Sequence, residues 1–529
     1  MDRRKFLTTS LGAAAISALA GKTAVWADAL RASAPRPESE PVLFRTDIVN
    51  LSTAFQSALS TLSRNIISVA EFPSPVLIEG SVYRGIWLEC GPQEGLVYSL
   101  YQPAIGAANH RVFLDLQRDD GYLPYSVKEQ SKGASQIQMV VPIAATALDY
   151  FERFGGDEFL DSAYRACSRW DAWLLRYRNT RGTGLCEGFC TYDTGHDRSP
   201  RWQGMPNQCP DKDARICPKA PGLPRLCPDL SATVYGGRVA LAKMARILAK
   251  PSEADRWEES AETIRKLILS KLYVPEDAFF YDLDADNHFV RVRGDVITRV
   301  VGEHVVDQKM FEEIYARQLH NPKAFWAPYP LPSIALDDPT FVRPIPRNSW
   351  GGASQALTAL RAPRWMEHYG KPADLAHLMQ QWIKAILASG GFYQQMDPLT
   401  GACTTTDPND YSPAALVFLD FLWRLHGVRQ EGEQLEWNCR RPENSAETIF
   451  SVTTKSGAAS LKYASEDAEL SLGGKVILGV KGTGRVITDA NQKPLQVVGT
   501  AEEPGEMILR WPNGKMKRLH THPNTTIVL

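Results

Sequence analysis

The feature that most constrains the fold of this chain is a series of amphipathic segments that extends from residue 47 to about residue 428. In the segment 254–272, Trp257, Ile264 and Ile268 recur at helical spacing, and charged residues lie between them. The same periodicity predicts further helices at 47–67, 137–154, 159–177, 232–248, 353–369, 373–388 and 413–425. Loops rich in Gly and Pro separate these helices, and strand-like alternation is sparse. We therefore predict a mainly α domain of antiparallel helix pairs over residues 47–430.

The pattern changes near residue 434. From residue 447 onward, short alternating runs predict strands at 449–452, 461–463, 476–480, 496–498, 507–511 and 526–529. Gly, Asn and Asp separate these runs, and Pro512-Asn513-Gly514 is typical of a hairpin turn. We therefore predict a small antiparallel β domain over residues 440–529.

The start of the chain predicts an export signal. Residues 3–7 contain a twin-arginine pair, residues 11–20 are apolar and rich in Ala, and Ala27 offers a small residue for cleavage. A basic cytosolic terminus is the alternative. We predict a twin-arginine signal peptide over residues 1–27 and a linker rich in Pro and charge over residues 28–46. The twin-arginine machinery would then export the folded protein to the periplasm or beyond.

Charge and composition exclude several kinds of partner. The net charge of −1 and the pI near 6.8 give no basis for binding nucleic acid or an anionic membrane surface. Beyond the N-terminus, no apolar stretch is long enough to span a bilayer, so we expect no membrane attachment in the mature form. The 529 residues, 44% of them hydrophobic, suffice for a large core and more than one domain.

The loop 192–202 contains the residues best suited to chemistry on a sugar. Asp197 can protonate a leaving oxygen, Arg201 can bind hydroxyl groups, and the indole of Trp202 can stack on a pyranose ring. Gly and Pro within the loop rule out a continuous helix. The alternative is a surface loop whose Asp caps the next helix.

Three other loops carry polar and aromatic residues between Gly or Pro. We expect these loops to meet at one end of the helical domain, where they bind a carbohydrate substrate. Together with the loop 192–202, these loops make a set of four. The substrate-binding candidates are Trp87 and Glu89 in 85–92, Arg201 and Trp202 in 192–202, Asn348 and Trp350 in 348–352, and Tyr393 and Gln394 in 390–412. The last loop also contains two candidate catalytic carboxylates, Asp397 and Asp410.

Five of the nine cysteines lie in one segment rich in Pro and Gly: Cys186, Cys190, Cys209, Cys217 and Cys227. In an oxidising compartment we expect this cluster to form one or two disulfides. The alternative is a zinc–thiolate site, although no C-x-x-C pair is present. We predict no metal and no cofactor.

The residues 194–201 (Thr-Gly-His-Asp-Arg-Ser-Pro-Arg) resemble the E-S-G-x-D-N-S-P-R signature of glycoside hydrolase family 63. That family includes processing α-glucosidases and mannosylglycerate hydrolases, and the trehalases have a related motif. Residues 120–124, 397–401 and 411–415 are similar to further motifs of the same enzymes. The resemblance covers roughly residues 80–425, and it implies an (α/α)6 toroid, hydrolysis of a glycosidic bond without a cofactor, and Asp197 as general acid.

The chain departs from the family at the general base, because the family's Glu corresponds to Gln394, and an amide cannot take a proton from water. The loop 348–352 also differs from the family's tryptophan loop. The second carboxylate therefore has to come from elsewhere, and four are available: Asp397, Asp410, Glu89 and Glu187. Each has another reading, since Asp397 suits a turn, Asp410 can cap a helix, and Glu89 can bind sugar hydroxyls.

From these observations we expect a glycosidase that removes a terminal, α-linked sugar. Two alternatives stay open. One is a carbohydrate-binding relative that lost its base at Gln394, and the other is a zinc–thiolate glycosidase that uses the cysteines of 186–227.

Overall fold

The computed structural model describes residues 42–404, 408–464 and 466–529. The predicted signal peptide and the first part of the predicted linker lie outside the described residues. The α-helices are Val49–Arg64, Gly91–Tyr98, Pro103–Asp115, Ile143–Phe154, Asp157–Tyr177, Pro228–Ile247, Pro251–Lys271, Val296–Gly302, Gln308–Ile314, Ala356–Met366, Pro372–Ser389 and Ser412–His426.

The predicted mainly α character of the long central region is confirmed. The helix predicted at 254–272 spans Pro251–Lys271, and Pro251 stands in its first turn, where a missing N–H costs nothing. The helix predicted at 413–425 spans Ser412–His426 and is buried almost all round. The periodicity missed Gly91–Tyr98, because that helix buries nearly every residue and has no polar face.

Short antiparallel strands brace the loops between the helices. The strands Gly85–Trp87, Ser126–Lys128 and Lys132–Gly133 form one three-stranded sheet. Four strands form a second small sheet around the loop 192–202: Glu187–Gly188, Arg225–Leu226, Asp282–Leu283 and Phe289–Val290. A third pair joins Ser354–Gln355 to Gln395–Met396. These pairings hold separate loops in fixed positions relative to one another.

The C-terminal part of the chain forms two larger antiparallel sheets. The five-stranded sheet contains Val428–Glu431, Gln434–Cys439, Gly484–Thr488, Pro494–Val498 and Thr526–Val528. The seven-stranded sheet contains Val42–Thr46, Thr448–Thr454, Gly457–Tyr463, Ala468–Leu472, Lys475–Lys481, Gly505–Arg510 and Met516–Thr521. The predicted C-terminal strands are thus present, and the turn at Gly514 joins two of them.

The N-terminal strand Val42–Thr46 belongs to the C-terminal seven-stranded sheet. It pairs with Thr448–Thr454, with Val42 opposite Val452 and Thr46 opposite Thr448. The last five residues of the predicted linker are therefore a strand rather than a connecting segment. Its alternating burial explains this, since Val42 and Phe44 face the core.

One continuous apolar core extends from the helices into the two C-terminal sheets. Helix Ser412–His426 packs on strand Gln434–Cys439, and Trp423 contacts the ring of Phe450. Among the described residues, none of the helices combines the length and apolar character that a membrane crossing requires.

Candidate active site

A cavity of about 220 Å³ collects side chains from each of the four loops singled out in the sequence. Its lining includes three carboxyl groups, which belong to Glu79, Glu89 and Asp197. The remaining polar and aromatic residues are Tyr83, Trp87, Tyr125, Lys128, Gln136, Gln138, Tyr192, Gln208, Asn348, Trp350, Gln394 and Tyr411. Rings and amides around a few acids suit a ligand with flat faces and many hydroxyl groups.

The loop that carries Asp197 is held by a buried ion pair. Asp193, in the short helix Thr191–Thr194, pairs with Arg178, and both side chains are fully buried. The carboxylate of Asp193 also accepts from the backbone N–H groups of Ile137 at 2.9 Å and Phe189 at 2.7 Å. Asp193, the other acid of the loop 192–202, is therefore structural, and it fixes the backbone that presents Asp197.

Arg201 is buried and is not among the residues that line the cavity, which corrects its predicted role in substrate binding. Its N–H groups bind the carboxylates of Asp229 and Asp282 at 2.6–2.7 Å and Nδ1 of His196 at 3.0 Å. These contacts occupy all five donors of the guanidinium group, so none is left for a sugar. Trp202 is also buried, with its indole N–H bound to Thr194 at 2.9 Å, and it does not line the cavity.

The carboxyl group of Asp197 lines the cavity, and its raised pKa suits the donation of a proton. Burial raises the pKa of Asp197 to about 6, and the negative charge of Glu89 acts in the same direction. A hydrogen bond from Asn348 and the charge of Arg198 oppose this rise in the pKa. A carboxyl group with this pKa is protonated for roughly a tenth of the time at pH 7, far more often than an ordinary Asp, and for half of the time at a pH of about 6.

Asn348 joins Asp197 to Gln394 through its side chain. Its Nδ2 donates to Oδ2 of Asp197 at 2.8 Å, and its Oδ1 accepts from Nε2 of Gln394 at 2.8 Å. The hydroxyl of Tyr83 donates to Oε1 of Gln394 at 3.1 Å. Asn348 adopts a positive φ of 44° in its loop. Asn348 and Gln394, both predicted to bind substrate, thus lie in the cavity with their amides in one network.

Glu89 packs directly against the loop of Asp197. Its Oε2 accepts from Nε2 of Gln138 at 2.9 Å, and a Cβ atom built on Gly195 would lie 1.9 Å from the same oxygen. Burial raises the pKa of Glu89, whereas the Gln138 hydrogen bond and the charges of Arg361 and Arg299 lower it. The sequence prediction that Glu89 contributes to the site is consistent with this position.

Glu79 is the cavity carboxylate that the sequence analysis missed. It follows the strand Val76–Leu77 and is 7% exposed. Its Oε1 accepts from the thiol of Cys90 at 3.0 Å and lies 3.5 Å from the hydroxyl of Tyr411. Burial, with the charges of Glu94 and Glu89, raises the pKa of Glu79 well above its usual range. The available signal was an acid between an apolar strand and a glycine, just before the Trp87 loop.

The structure does not bring the two predicted catalytic acids Asp397 and Asp410 into the cavity lining. Asp397 accepts from the backbone N–H of Leu399 at 2.8 Å and pairs with Arg343 at 3.0 Å, so it is a turn residue. Asp410 accepts from the Ser81 hydroxyl at 3.1 Å and lines a neighbouring, smaller cavity.

Two further predictions on single residues also change. Glu187 binds the backbone N–H groups of Thr180 and Arg181 at 2.8 and 2.7 Å and is fully buried, so it is a structural cap. Tyr393 is not among the residues that line the cavity, whereas its neighbour Gln394 is.

The predicted aromatic residues Trp87 and Trp350 both line the cavity. Trp87 lies edge-on to Tyr83 at 6.1 Å and has the ammonium group of Lys128 over its ring at 5.6 Å. Trp350 is almost fully buried, with Arg299 on its ring at 5.3 Å. Trp87, which is partly exposed, is the better placed of the two to stack on a sugar.

The nine cysteines are thiols in the structure, so the expected disulfides are not formed there. The sulfur atoms of Cys190 and Cys209 lie 3.9 Å apart, with Asp193 close to both. That carboxylate is already bound by Arg178 and by backbone N–H groups. A zinc ion at this position would have to displace them, so the geometry does not favour the zinc–thiolate alternative.

The cavity combines acids, amides and aromatic rings from converging loops of a helical domain. This combination is typical of a carbohydrate-active enzyme. The family described as the mannosylglycerate hydrolase MGH1-like glycoside hydrolase domain matches residues 98–414. This chain belongs to that family, and it is a glycosidase. The resemblance seen in the sequence motifs is thereby confirmed.

Solved structures share the fold at low sequence identity. The GH63 mannosylglycerate hydrolase from Thermus thermophilus in complex with glucose is 17% identical, with a TM-score of 0.55 over 70% of this chain and 99% of that one. Neutral trehalase Nth1 from Saccharomyces cerevisiae is 14% identical, with a TM-score of 0.53 over 70% and 80%. An alpha-L-rhamnosidase from Dictyoglumus thermophilum is 10% identical, with a TM-score of 0.54 over 94% and 52%.

Proposed function

We propose that this protein is an exo-acting glycoside hydrolase that removes a terminal, α-linked sugar, with Asp197 as the general acid. One observation carries the proposal: the partly buried carboxyl group of Asp197 opens on a cavity that contains two other carboxyl groups, and its pKa is about 6. Glycosidases use such a pair of acids, one of which protonates the leaving oxygen.

The size of the cavity supports action on a chain end. Its volume of about 220 Å³ is below the range of about 300–1,000 Å³ that is typical of pockets for larger ligands. A single sugar ring with its hydroxyl groups is the part of a saccharide that fits such a space. The amides of Gln138, Asn348 and Gln394 can bind those hydroxyl groups, and Trp87 offers a face for stacking.

The arrangement of helices supports an (α/α)6 toroid over residues 47–430. Consecutive helices pack as pairs, as Pro228–Ile247 does with Pro251–Lys271 and Ala356–Met366 does with Pro372–Ser389. Helix Ser412–His426 packs on the first helix, Val49–Arg64, which is the contact that closes a ring. Loops from the whole length of this ring meet at the cavity.

We also propose that the protein acts in the periplasm or outside the cell, after twin-arginine export. The twin arginines within residues 3–7 and the Ala-rich run that follows support this location. Fusion of residues 1–30 to a reporter that matures only when folded would test it, with Arg3→Lys together with Arg4→Lys as control. Reporter retained in the cytoplasm by the natural sequence would contradict export.

The acid role of Asp197 is tested by replacing it with Asn and varying the leaving group. Asp197→Asn keeps the shape of the side chain, and Asn348 can still contact it. We expect hydrolysis of natural, poorly activated glycosides to fall by about 10²–10⁴-fold. Dinitrophenyl glycosides, whose leaving group departs without a proton, should lose much less.

The matched control is Asp397→Asn, which makes the same change outside the cavity and should leave both rates near those of the natural protein. Equal losses on both classes of substrate in Asp197→Asn would remove Asp197 from the acid role. No hydrolysis of any glycoside by the natural protein would instead contradict the proposed function itself.

A further inference from the structure

We propose that Glu79, Glu89 and Cys90 bind a zinc ion at the wall of the cavity, with the carboxyl group of Glu94 beside the ion. The inference goes beyond the proposed function, because it rests on the geometry of these four side chains and not on the glycoside that is hydrolysed. The site is separate from the cysteines of 186–227, and it differs from the sequence-based expectation of no metal.

Two segments of the chain bring the three ligands together. Glu79 follows the strand Val76–Leu77, and Glu89 and Cys90 immediately precede the helix Gly91–Tyr98. The ligand atoms of the three residues all lie within 4.8 Å of one another, and the Cys90 thiol donates to Oε1 of Glu79 at 3.0 Å. Tetrahedral zinc, with bonds of about 2.3 Å to sulfur and about 2.0 Å to oxygen, places two such atoms about 3.5 Å apart. A zinc ion in place of the thiol proton therefore needs only a small widening of this contact.

Glu79 and Glu89 can each offer an oxygen to the ion without losing their protein partners. Among the hydrogen bonds of the described residues, those that Cys90 and Tyr411 donate to the carboxyl group of Glu79 both reach Oε1. The bond that Gln138 donates to Glu89 reaches Oε2. Each carboxylate therefore keeps a second oxygen, through which it can bind a metal ion.

Glu94 gives a second, independent indication that a cation belongs in this place. It is 1% exposed, and among the described residues neither oxygen of its carboxyl group has a hydrogen-bond partner. Burial raises the pKa of Glu79 and of the Cys90 thiol, and the charge of Glu94 adds to both effects, so this carboxyl group faces the cluster. Two buried carboxyl oxygens without a partner are costly, and a water bound to the zinc ion would donate to them.

The three glutamates have no direct ion pair that would balance their charge. Within the described parts of the chain, no Arg, Lys or His side chain pairs with any of the three. Arg299 and Arg361 act on Glu89 only from farther away. Arg299 lies 3.4 Å from Asp229, and Nη2 of Arg361 donates to the backbone carbonyl of Glu89 at 3.4 Å. Buried charges in proteins are paired or coordinate metals, so this cluster suits a divalent cation.

The mixture of one thiolate and two carboxylates favours zinc over other common cations. Calcium and magnesium bind shells of six or more oxygen atoms, and a thiolate is a poor ligand for both. Zinc accepts Cys sulfur and Glu oxygen in the same tetrahedral site. Glu79 and Glu89 line the cavity, so the fourth position of the ion would face the substrate, where a water or a sugar hydroxyl can bind to it.

The test measures metal binding by the purified full chain, which is kept reduced, stripped with EDTA and titrated with ZnCl2. We expect one zinc ion per chain by mass spectrometry of the metal, and a Tm that rises with the zinc concentration. Cys90→Ser and Glu79→Gln each remove a ligand and should abolish stoichiometric binding. Glu94→Gln, which removes the carboxylate beside the ion, should weaken zinc binding by about 10–100-fold.

Cobalt in place of zinc tests the thiolate ligand directly. CoCl2 added to the stripped natural protein should produce a sulfur-to-cobalt charge-transfer band in the near ultraviolet, and this band should be absent from Cys90→Ser. The matched control combines Cys190→Ser with Cys209→Ser, which removes two thiols of the other cluster and should keep both the bound zinc and the cobalt band. Folding is checked on the metal-free proteins, where Glu79→Gln should have a Tm at or above that of the natural protein.

Several results would overturn the proposal. Failure of the natural protein to bind zinc or cobalt would show that the glutamates hold protons instead of a metal ion. A charge-transfer band that persists in Cys90→Ser and disappears in the Cys190→Ser, Cys209→Ser control would place the metal in the other cluster.

Glycoside hydrolysis is assayed on the same samples, so that the two proposals can fail separately. Hydrolysis by a natural protein that takes up no metal would reject the zinc site and leave the proposed function standing. Stoichiometric zinc that is lost in Cys90→Ser, without hydrolysis of any glycoside by the natural protein, would support the zinc site and reject the proposed function.

Discussion

Glu89 leaves no room for a side chain on Gly195, because a Cβ atom there would lie 1.9 Å from Oε2 of Glu89. Gly195 also has a positive φ of 63°, which other residues rarely adopt. This contact joins the Trp87 loop to the acid loop. The spacing of Glu89 and Asp197 therefore depends on the absence of one methyl group.

Gly195→Ala should accordingly disturb the site more than the fold. We expect a loss of about 1–3 kcal/mol of stability, measured by urea unfolding, and a disproportionate fall in kcat/KM as Glu89 is displaced. Gly182→Ala is the matched control, since Gly182 has a φ of 65° and nothing within 4 Å of a Cβ atom. Similar activity of the two variants would show that the contact with Glu89 does not matter for turnover.

Asn348→Ala should raise the pKa of Asp197 above about 6, because the amide hydrogen bond that lowers this pKa is removed. The pKa of Asp197 can be read from the pH dependence of kcat/KM. It is the pKa at which kcat/KM falls as the pH rises, in a limb that is present in the natural protein and missing in Asp197→Asn. That limb should move to higher pH in Asn348→Ala. A limb that stays in place, or moves to lower pH, would show that Asn348 does not control the ionisation of Asp197.

Gln394→Ala should slow turnover or weaken binding by about 1–3 kcal/mol, since Asn348 and Tyr83 both lose a hydrogen-bond partner. Gln394→Glu should also reduce activity, because an ionised carboxylate cannot donate to Oδ1 of Asn348. Assays of the natural protein and both variants on the same glycosides check this. Higher activity in Gln394→Glu than in the natural protein would mean that the natural site lacks an efficient base.

Arg201→Met should act on stability rather than on substrate affinity. It leaves the carboxylates of Asp229 and Asp282 buried without their shared cation, and such losses cost about 3–5 kcal/mol. Chemical unfolding measures the effect, and KM should change little wherever the variant is folded. Arg215→Met, which breaks a more exposed pair with Asp213, is the control and should cost at most about 1 kcal/mol.

The helical region could be predicted from the sequence because most of its helices keep one polar face. Ile143–Phe154 and Pro251–Lys271 show that periodicity, whereas Gly91–Tyr98 is buried too completely to show any. The position of Asp197 in the cavity also followed from the sequence. Its loop contains a rigid Gly-x-Asp-x-Ser-Pro pattern that the structure preserves.

The rest of the site could not be predicted, because residue type does not tell which way a side chain points. Arg201 and Trp202 have the chemistry of sugar-binding residues, yet both face the core, where Arg201 neutralises two buried acids. Asp397 sits in a motif and serves a turn. Glu79 has no motif around it, and only the three-dimensional convergence of separate loops brings it beside the substrate cavity.

The strand Val42–Thr46 pairs with residues that are synthesised about four hundred positions later. This pairing is a contact of very long range, so it can form only when almost the whole chain has left the ribosome. Until then both sides of the strand are unpaired, and in the folded sheet it remains the edge strand with one side unpaired. The strand Val42–Thr46 lies shortly after the proposed signal peptide. A paired strand at this position would therefore mean that the C-terminal sheet has folded. An export system that accepts only folded proteins would then meet a paired strand in the folded chain, and an unpaired strand in the unfolded chain, close to the signal sequence that it recognises.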